Sequence, residues 1–213
     1  MELRIDLHLH TTLSQDSIVT LEDAIEGCLR VGLDGFAVTN HDVLTRIPES
    51  ALDDSGLIIL PGVEIKAEGI HIGAFDIQEL PEDKLSLGET IDRIHDQGGF
   101  AVICHAHSVL GTWLNRGNVV EAGFDLVEVA NAYQFPYGMM VELNRRLARR
   151  LRLPETGGSD SHIPDTVGRA YTVLEAEERS TEGVLDALRK GRCRREGRGI
   201  SLRERMKWPK VRL

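Results

Sequence analysis

Cysteine is scarce in this chain: three in 213 residues, at Cys28, Cys104 and Cys193. An odd, widely spaced set excludes a disulfide scaffold and points to a reducing, cytoplasmic setting. No run of 18 apolar residues occurs, which excludes a membrane-spanning helix by hydropathy. The N-terminus enters a strand without a basic segment or an apolar stretch before it, so no secretory signal is expected. There is no Cys-x-x-Cys pair, no Walker A loop and no Gly-x-Ser-x-Gly elbow. Those absences leave zinc-ribbon, phosphate-loop and serine-hydrolase readings without support.

What remains is a chain of a length that suits one α/β domain, with 41% hydrophobic residues and 21 glycines. The net charge is −9, unevenly spread: residues 189–213 carry 11 Lys and Arg against two acids. The expected division is a barrel domain over 1–190 and a basic tail over 191–213. Such a tail docks on its own acidic body or contacts a polyanion such as nucleic acid.

Strand and helix signals alternate. Residues 3–8, 35–39, 57–63, 70–75, 100–104, 126–130, 155–157 and 170–174 read as strands. Thr20 with Asp23, and Ser86 with Glu89, read as capping boxes opening helices that Gly32 and Gly98-Gly99 close. Further helices are expected after Arg46, over 138–152 with Met140, Leu143, Leu147 and Leu151 on one side and arginines on the other, and over 181–190. Alternation of this kind implies a mostly parallel sheet or barrel.

Residues of metal-ligating type recur where these strands end. His8 and His10 lie at i, i+2, so an extended chain turns both imidazoles to one face. His41 and Asp42 follow the second strand, Glu64 the third, and His105 and His107 the strand at 100–104. Asn131 follows the strand at 126–130, and Asp160 with His162 repeats the i, i+2 spacing. In a parallel barrel such positions converge at the carboxyl ends of the strands. Neutral imidazoles with carboxylates suit Zn²⁺, Mn²⁺ or Fe²⁺, and clustered ions activate water and carry charge in phosphoryl displacement. Asp42 reads as orienting an imidazole. His107 reads as lining the substrate site, His95 as structural, and Cys28 and Cys104 as core. Arg169, and less directly Lys66, are the cations placed to meet a phosphate.

The ordered set Asp-Leu-His-Leu-His-Thr, Thr-Asn-His-Asp, Gly-Val-Glu, Cys-His-Ala and Gly-Ser-Asp-Ser-His resembles the polymerase-and-histidinol-phosphatase (PHP) family from residue 3 to about 175. The resemblance implies a distorted (β/α)7, TIM-like barrel of one domain and a metal-dependent phosphoesterase. It implies that His8, His10, Glu64 and Asp160 hold one ion, that Glu64 bridges to a second ion on His105, and that His41 and His162 hold a third. Where the fullest members have two more histidines, this chain has Asp16 and Asn131, so two or three ions are expected. The resemblance also places His71 near substrate. The expected substrate is a small phosphomonoester (a sugar phosphate, a nucleotide or a histidinol phosphate type) attacked by metal-activated water. His41, Asp42 or His162 would protonate the leaving oxygen. The alternatives are a nuclease acting on nucleic-acid ends, gripping through the tail, and a non-catalytic, metal-stabilised binding module.

Overall fold

The computed structural model describes residues 1–48, 55–107 and 116–207. The elements in chain order are β1 (Glu2–Asp6), α1 (Leu21–Val31), β2 (Gly35–Val38), β3 (Ile58–Ala67), β4 (Ile70–Phe75), α2 (Leu87–His95), β5 (Phe100–Ile103) and α3 (Arg116–Glu121). There follow β6 (Leu126–Asn131), α4 (Tyr137–Leu151), β7 (Glu155–Gly158), a 3₁₀ turn (Pro164–Thr166), β8 (Ala170–Glu175), α5 (Thr181–Arg189), β9 (Cys193–Gly197) and α6 (Leu202–Met206). The helix expected after Arg46 runs into residues 49–54, and the end of the tail into 208–213; both lie outside the described residues.

All nine strands join one sheet in the order β7-β6-β5-β4-β3-β2-β1-β8-β9. β1, β2 and β3 are parallel, as are β5, β6 and β7, while β4 pairs antiparallel with both β3 and β5. The β3–β4 hairpin turns at Glu68-Gly69, both at positive φ, the geometry of a tight two-residue hairpin. β8 is antiparallel to β1 and to β9. The two ends of the sheet then meet. The Asp160 amide donates to the His8 carbonyl at 2.8 Å, and the His10 amide to the Ser161 carbonyl at 3.1 Å. The Thr172 hydroxyl donates to the Gly157 carbonyl at 2.8 Å. The result is a nearly closed, TIM-like barrel, distorted by the antiparallel β4 and β8.

Closure depends on Gly158. A Cβ there would stand 2.3 Å from the His8 Cβ, so only glycine lets β7 come this near the chain after β1. Asp6 holds the same seam. Its buried carboxylate accepts from the amides of His8 (3.2 Å), Ser159 (2.8 Å) and Gly168 (3.0 Å). Burial pushes that carboxyl up to about 6, and the hydrogen bonds, those from Ser159 foremost, work against the shift.

Both capping boxes form as expected, Thr20 with Asp23 on α1 and Ser86 with Glu89 on α2. Two expectations change. First, α4 buries Met140 of the expected stripe and packs Leu147 and Leu151 partly buried against the core, but its other buried positions are Val141, Asn144 and Ala148. The reason is polar: Asn144 is fully buried and ties α4 to β6 and its turn, donating to the carbonyl of Val129 and the side chain of Gln134. Second, Cys193–Gly197, assigned to the tail by sequence, is strand β9 paired with β8. None of the described helices is long and apolar enough to cross a membrane.

Candidate metal centre

β1 stops at Asp6, but the chain runs on extended, with Leu7 and Leu9 in the core and His8 and His10 buried on the opposite side. The Nε2 atoms of these two imidazoles face each other at 3.1 Å. Glu64 on β3 meets both. Its Oε2 lies 3.3 Å from His8 Nε2, 3.2 Å from His10 Nε2 and 3.1 Å from His41 Nδ1, yet it is buried without a hydrogen-bond partner. Its Oε1 lies 2.8 Å from both His105 Nε2 and His71 Nδ1. Asp160 Oδ1 completes this side, 3.6 Å from His8 Nε2 and 3.3 Å from His10 Nε2. At the open edge, Asp16 Oδ2 stands 3.1 Å from His162 Nε2 and 3.5 Å from His41 Nε2.

The surrounding hydrogen bonds set the tautomers. His8 Nδ1 faces Glu128 Oε1 at 3.0 Å, and a carboxylate only accepts, so Nδ1 carries the proton. His10 Nδ1 meets the Ser14 hydroxyl at 3.2 Å. That hydroxyl donates to Asn40 Oδ1, so it accepts from His10. His162 Nδ1 faces the Asp160 carbonyl at 2.9 Å, and a carbonyl also only accepts. All three imidazoles therefore aim Nε2 inward with Nδ1 tied down, the arrangement by which proteins orient metal-binding histidines.

The electrostatics agree. Burial alone would lower His8, but the carboxylates of Glu128, Asp160 and Glu64 hold it well above the usual histidine range. Burial would likewise lower His105, but Glu64 raises it to about 9. Burial works to raise Glu64 and Asp160, and the surrounding histidines, His8 first, hold both well below the ordinary carboxylate range. Asp16 is lowered against burial by His162 and His41, and His41 is raised against burial by Asp16 and Glu64. Buried carboxylates of this density call for positive charge among them. Several sets place a ligand atom of each residue within 4.8 Å of the others: His8, His10 and Glu64; His8, His105 and Asp160; His10, His41 and His162; His41, Glu64 and His71. An orphaned carboxylate oxygen among inward-facing imidazole nitrogens fits a divalent cation.

Comparison with known proteins bears on this geometry directly. Residues 6–106 match the PHP domain and residues 142–193 the PHP-associated family. The chain belongs to the PHP family. An uncharacterized protein of Methanocaldococcus jannaschii is 30% identical over 144 residues, covering 62% of this chain and 83% of that protein. Among solved structures, a two-domain protein from Bacteroides vulgatus containing a predicted PHP-like metal-dependent phosphoesterase superposes with a TM-score of 0.75. It is 22% identical over 93% of this chain and 65% of its own. Endonuclease Q, in complex with a 27-mer duplex substrate bearing an abasic lesion, superposes with a TM-score of 0.68 at 15% identity, over 92% of this chain and 58% of its own.

The remaining predicted residues of this PHP chain lie around the cluster. Asn131 donates from Nδ2 to Asp160 Oδ2 (3.1 Å) and Glu128 Oε2 (3.0 Å), while its Oδ1 accepts from the amides of Tyr133 and Gln134. It thus stands behind two carboxylates. Asp42 is exposed and accepts from the Lys66 amide at 3.4 Å, so its carboxylate supports β3. Lys66 is exposed, opposite His71 in the β3–β4 register and on the face of Glu64. His71, expected near substrate, touches Glu64 itself. His107 hydrogen-bonds Asn144 on α4 at 2.8 Å. Arg169 pairs with Glu204 of α6. His95 pairs with Asp125 at 2.9 Å, which fits its structural reading. Cys104 is buried, with its sulfur grouped with His8 and Glu128.

Sequence reasoning missed Glu128. It is 3% exposed, bonds His8, and accepts the His105 amide at 2.8 Å. The signal was there: an acid in the middle of the apolar strand Leu-Val-Glu-Val-Ala calls for a buried partner.

Proposed function

We propose that this chain is a metal-dependent phosphoesterase that hydrolyses a phosphomonoester of a small molecule. The observation that carries the reading is Glu64 Oε2, buried and unbonded, ringed at 3.1–3.3 Å by three imidazole nitrogens. His8, His10, Glu64 and Asp160 would hold one ion. Glu64 with His105 and His71 would hold a second, and His41, His162 and Asp16 a third. Bound divalent ions there supply Lewis-acid charge for the phosphoryl oxygens and an activated water for attack at phosphorus.

The chain's own residues do the rest. Ser14, Glu128 and the Asp160 carbonyl fix three rings in orientation, so the site is preorganised before substrate arrives. Asp16 lies between His41 and His162 at the cluster's edge, where His41 is one-third exposed. With the third position unfilled, a proton held on either ring can pass to the leaving oxygen. A small substrate fits the basic tail, four of whose described cations pair with carboxylates of the body. Arg192 pairs with Glu177, Arg194 with Glu2, Arg195 with Glu155 and Lys207 with Asp165. The likeness to endonuclease Q favours a second reading, a nuclease acting on nucleic-acid ends.

The test is hydrolysis of p-nitrophenyl phosphate with added Mn²⁺, beside Asp160→Ala and a 5′-phosphorylated oligonucleotide. Turnover by the wild type that is lost in the variant is expected. Equal rates in the two proteins would refute the assignment, and cleavage of the oligonucleotide alone would favour the nuclease.

A further inference from the structure

The turn after β6 is pinned to the metal centre from both sides. Asn131 Oδ1 accepts from the Tyr133 and Gln134 amides, and Gln134 Nε2 donates to the His105 carbonyl at 3.2 Å. This places Tyr133 on the rim of the cluster, with Phe135 joined to it through Arg205. Tyr133 lies 6.3 Å from the His162 ring, centroid to centroid. Phe135 comes two residues later and is 54% exposed, with Met139 at 50% on the following turn of α4. A lone exposed phenylalanine is ordinary. This one has a guanidinium beside it. Arg205, brought from α6, sits 5.4 Å from the Phe135 ring centroid and 4.8 Å from that of Tyr133.

Arg205 is held there by the course of the chain end. The Ile200 amide donates to the Ala132 carbonyl at 2.9 Å, Glu204 takes Arg169 and the Ser201 amide, and Arg205 donates to the Tyr133 carbonyl at 2.6 Å. The guanidinium is thus fixed as a flat surface rather than left free as a charge. Planar cations and aromatic rings both stack on nucleobases. A sugar phosphate offers nothing to stack.

We propose that Phe135, Tyr133 and Arg205 form a stacking platform for the base of a mononucleotide whose phosphate lies at the histidine cluster. The proposal rests on the phosphoesterase reading and names its substrate class. Because Arg192, Arg194, Arg195 and Lys207 of the tail pair with carboxylates of the body, the occupant is a free nucleotide rather than a nucleic-acid strand.

The test compares adenosine 5′-monophosphate with ribose 5-phosphate, which carries a hydroxyl in place of the base. Wild-type protein with Mn²⁺ is expected to favour the nucleotide in kcat/KM by roughly 10-fold, the scale of one base–aromatic stack. In Phe135→Ala that ratio falls to about one, and Phe135→Trp keeps it. Arg205→Lys, which retains charge and loses the plane, lowers it. Calorimetric titration of the metal-free protein with adenosine 5′-monophosphate gives a second readout, with weaker binding in Phe135→Ala than in wild type. If p-nitrophenyl phosphate is hydrolysed but the two esters are used equally, the platform is refuted and the phosphoesterase stands. If no ester is hydrolysed but binding still depends on Phe135, the phosphoesterase is refuted and the platform stands. A Phe135→Ala variant that loses stability but keeps the substrate ratio makes the aromatic cluster a purely structural strap. A 5′-phosphorylated oligonucleotide used tenfold better than the mononucleotide overturns the choice of occupant.

Discussion

Gly158→Ala is a severe test of how the barrel closes. The added Cβ would lie 2.3 Å from the His8 Cβ, 2.8 Å from the His8 amide nitrogen and 3.0 Å from Glu128 Oε1. Carbon atoms in contact sit about 3.5–4.0 Å apart, so the overlap exceeds about 1 Å. The two nearest atoms are the His8 Cβ and backbone nitrogen, and no side-chain rotation removes them. β7 and the chain after β1 must separate, at a cost toward the upper end of the ~1–3 kcal/mol of overpacking. Moving His8 also weakens its 3.0 Å bond to Glu128, a charged hydrogen bond of about 1.5–3 kcal/mol, part of which is lost. A net loss of about 3 kcal/mol lowers Tm by roughly 6–12 °C in a domain of this size. Urea unfolding of the metal-free protein measures it, with Gly88→Ala as the control. Gly88 has nothing within 4 Å of its Cβ position, and alanine there should be neutral or slightly stabilising. A Gly158→Ala protein within about 0.5 kcal/mol of wild type would refute the argument for close approach.

Glu128→Gln keeps an acceptor for His8 Nδ1 but removes its charge, so metal affinity should fall about 10–100-fold in calorimetry, and unchanged affinity would show that Glu128 does not tune the ring. His8 stands well above its usual range and His105 near 9, because buried carboxylates surround them. Both must shed a proton to ligate, so affinity should rise with pH up to about 9, and titrations in two buffers of different ionisation heat should reveal released protons. Finding none would contradict the protonated state of the metal-free cluster. Thr20→Ala removes the α1 cap at 3.1 Å from the Asp23 amide and should cost about 1 kcal/mol in denaturant unfolding, with no effect on metal affinity.

Much of this site could be read directly along the chain. Period-two spacing put His8 with His10 and Asp160 with His162 on shared faces, and strand ends collected Glu64, His41 and His105. Such signals are local, and backbone geometry enforces them wherever the chain is extended. Helix caps were legible for the same reason: Thr20 and Ser86 bond amides three residues away. The misreadings share a cause as well. Glu128, Asn144 and β9 depend on partners distant in sequence. Asn144 is buried because its partners lie on β6 and the turn beyond it, which no local spacing announces.

The sequence by itself determined the donor inventory, the alternation of strands and helices, and the family. Only the tertiary structure decided which atoms meet. Closure at Gly158 brings Asp160 to His8, the β3–β4 hairpin turns His71 onto Glu64, and the chain end carries Arg205 to the rim of the cluster. A hydrogen-bonded network in a buried site is a property of distances, and distances between remote residues exist only once the sheet has closed.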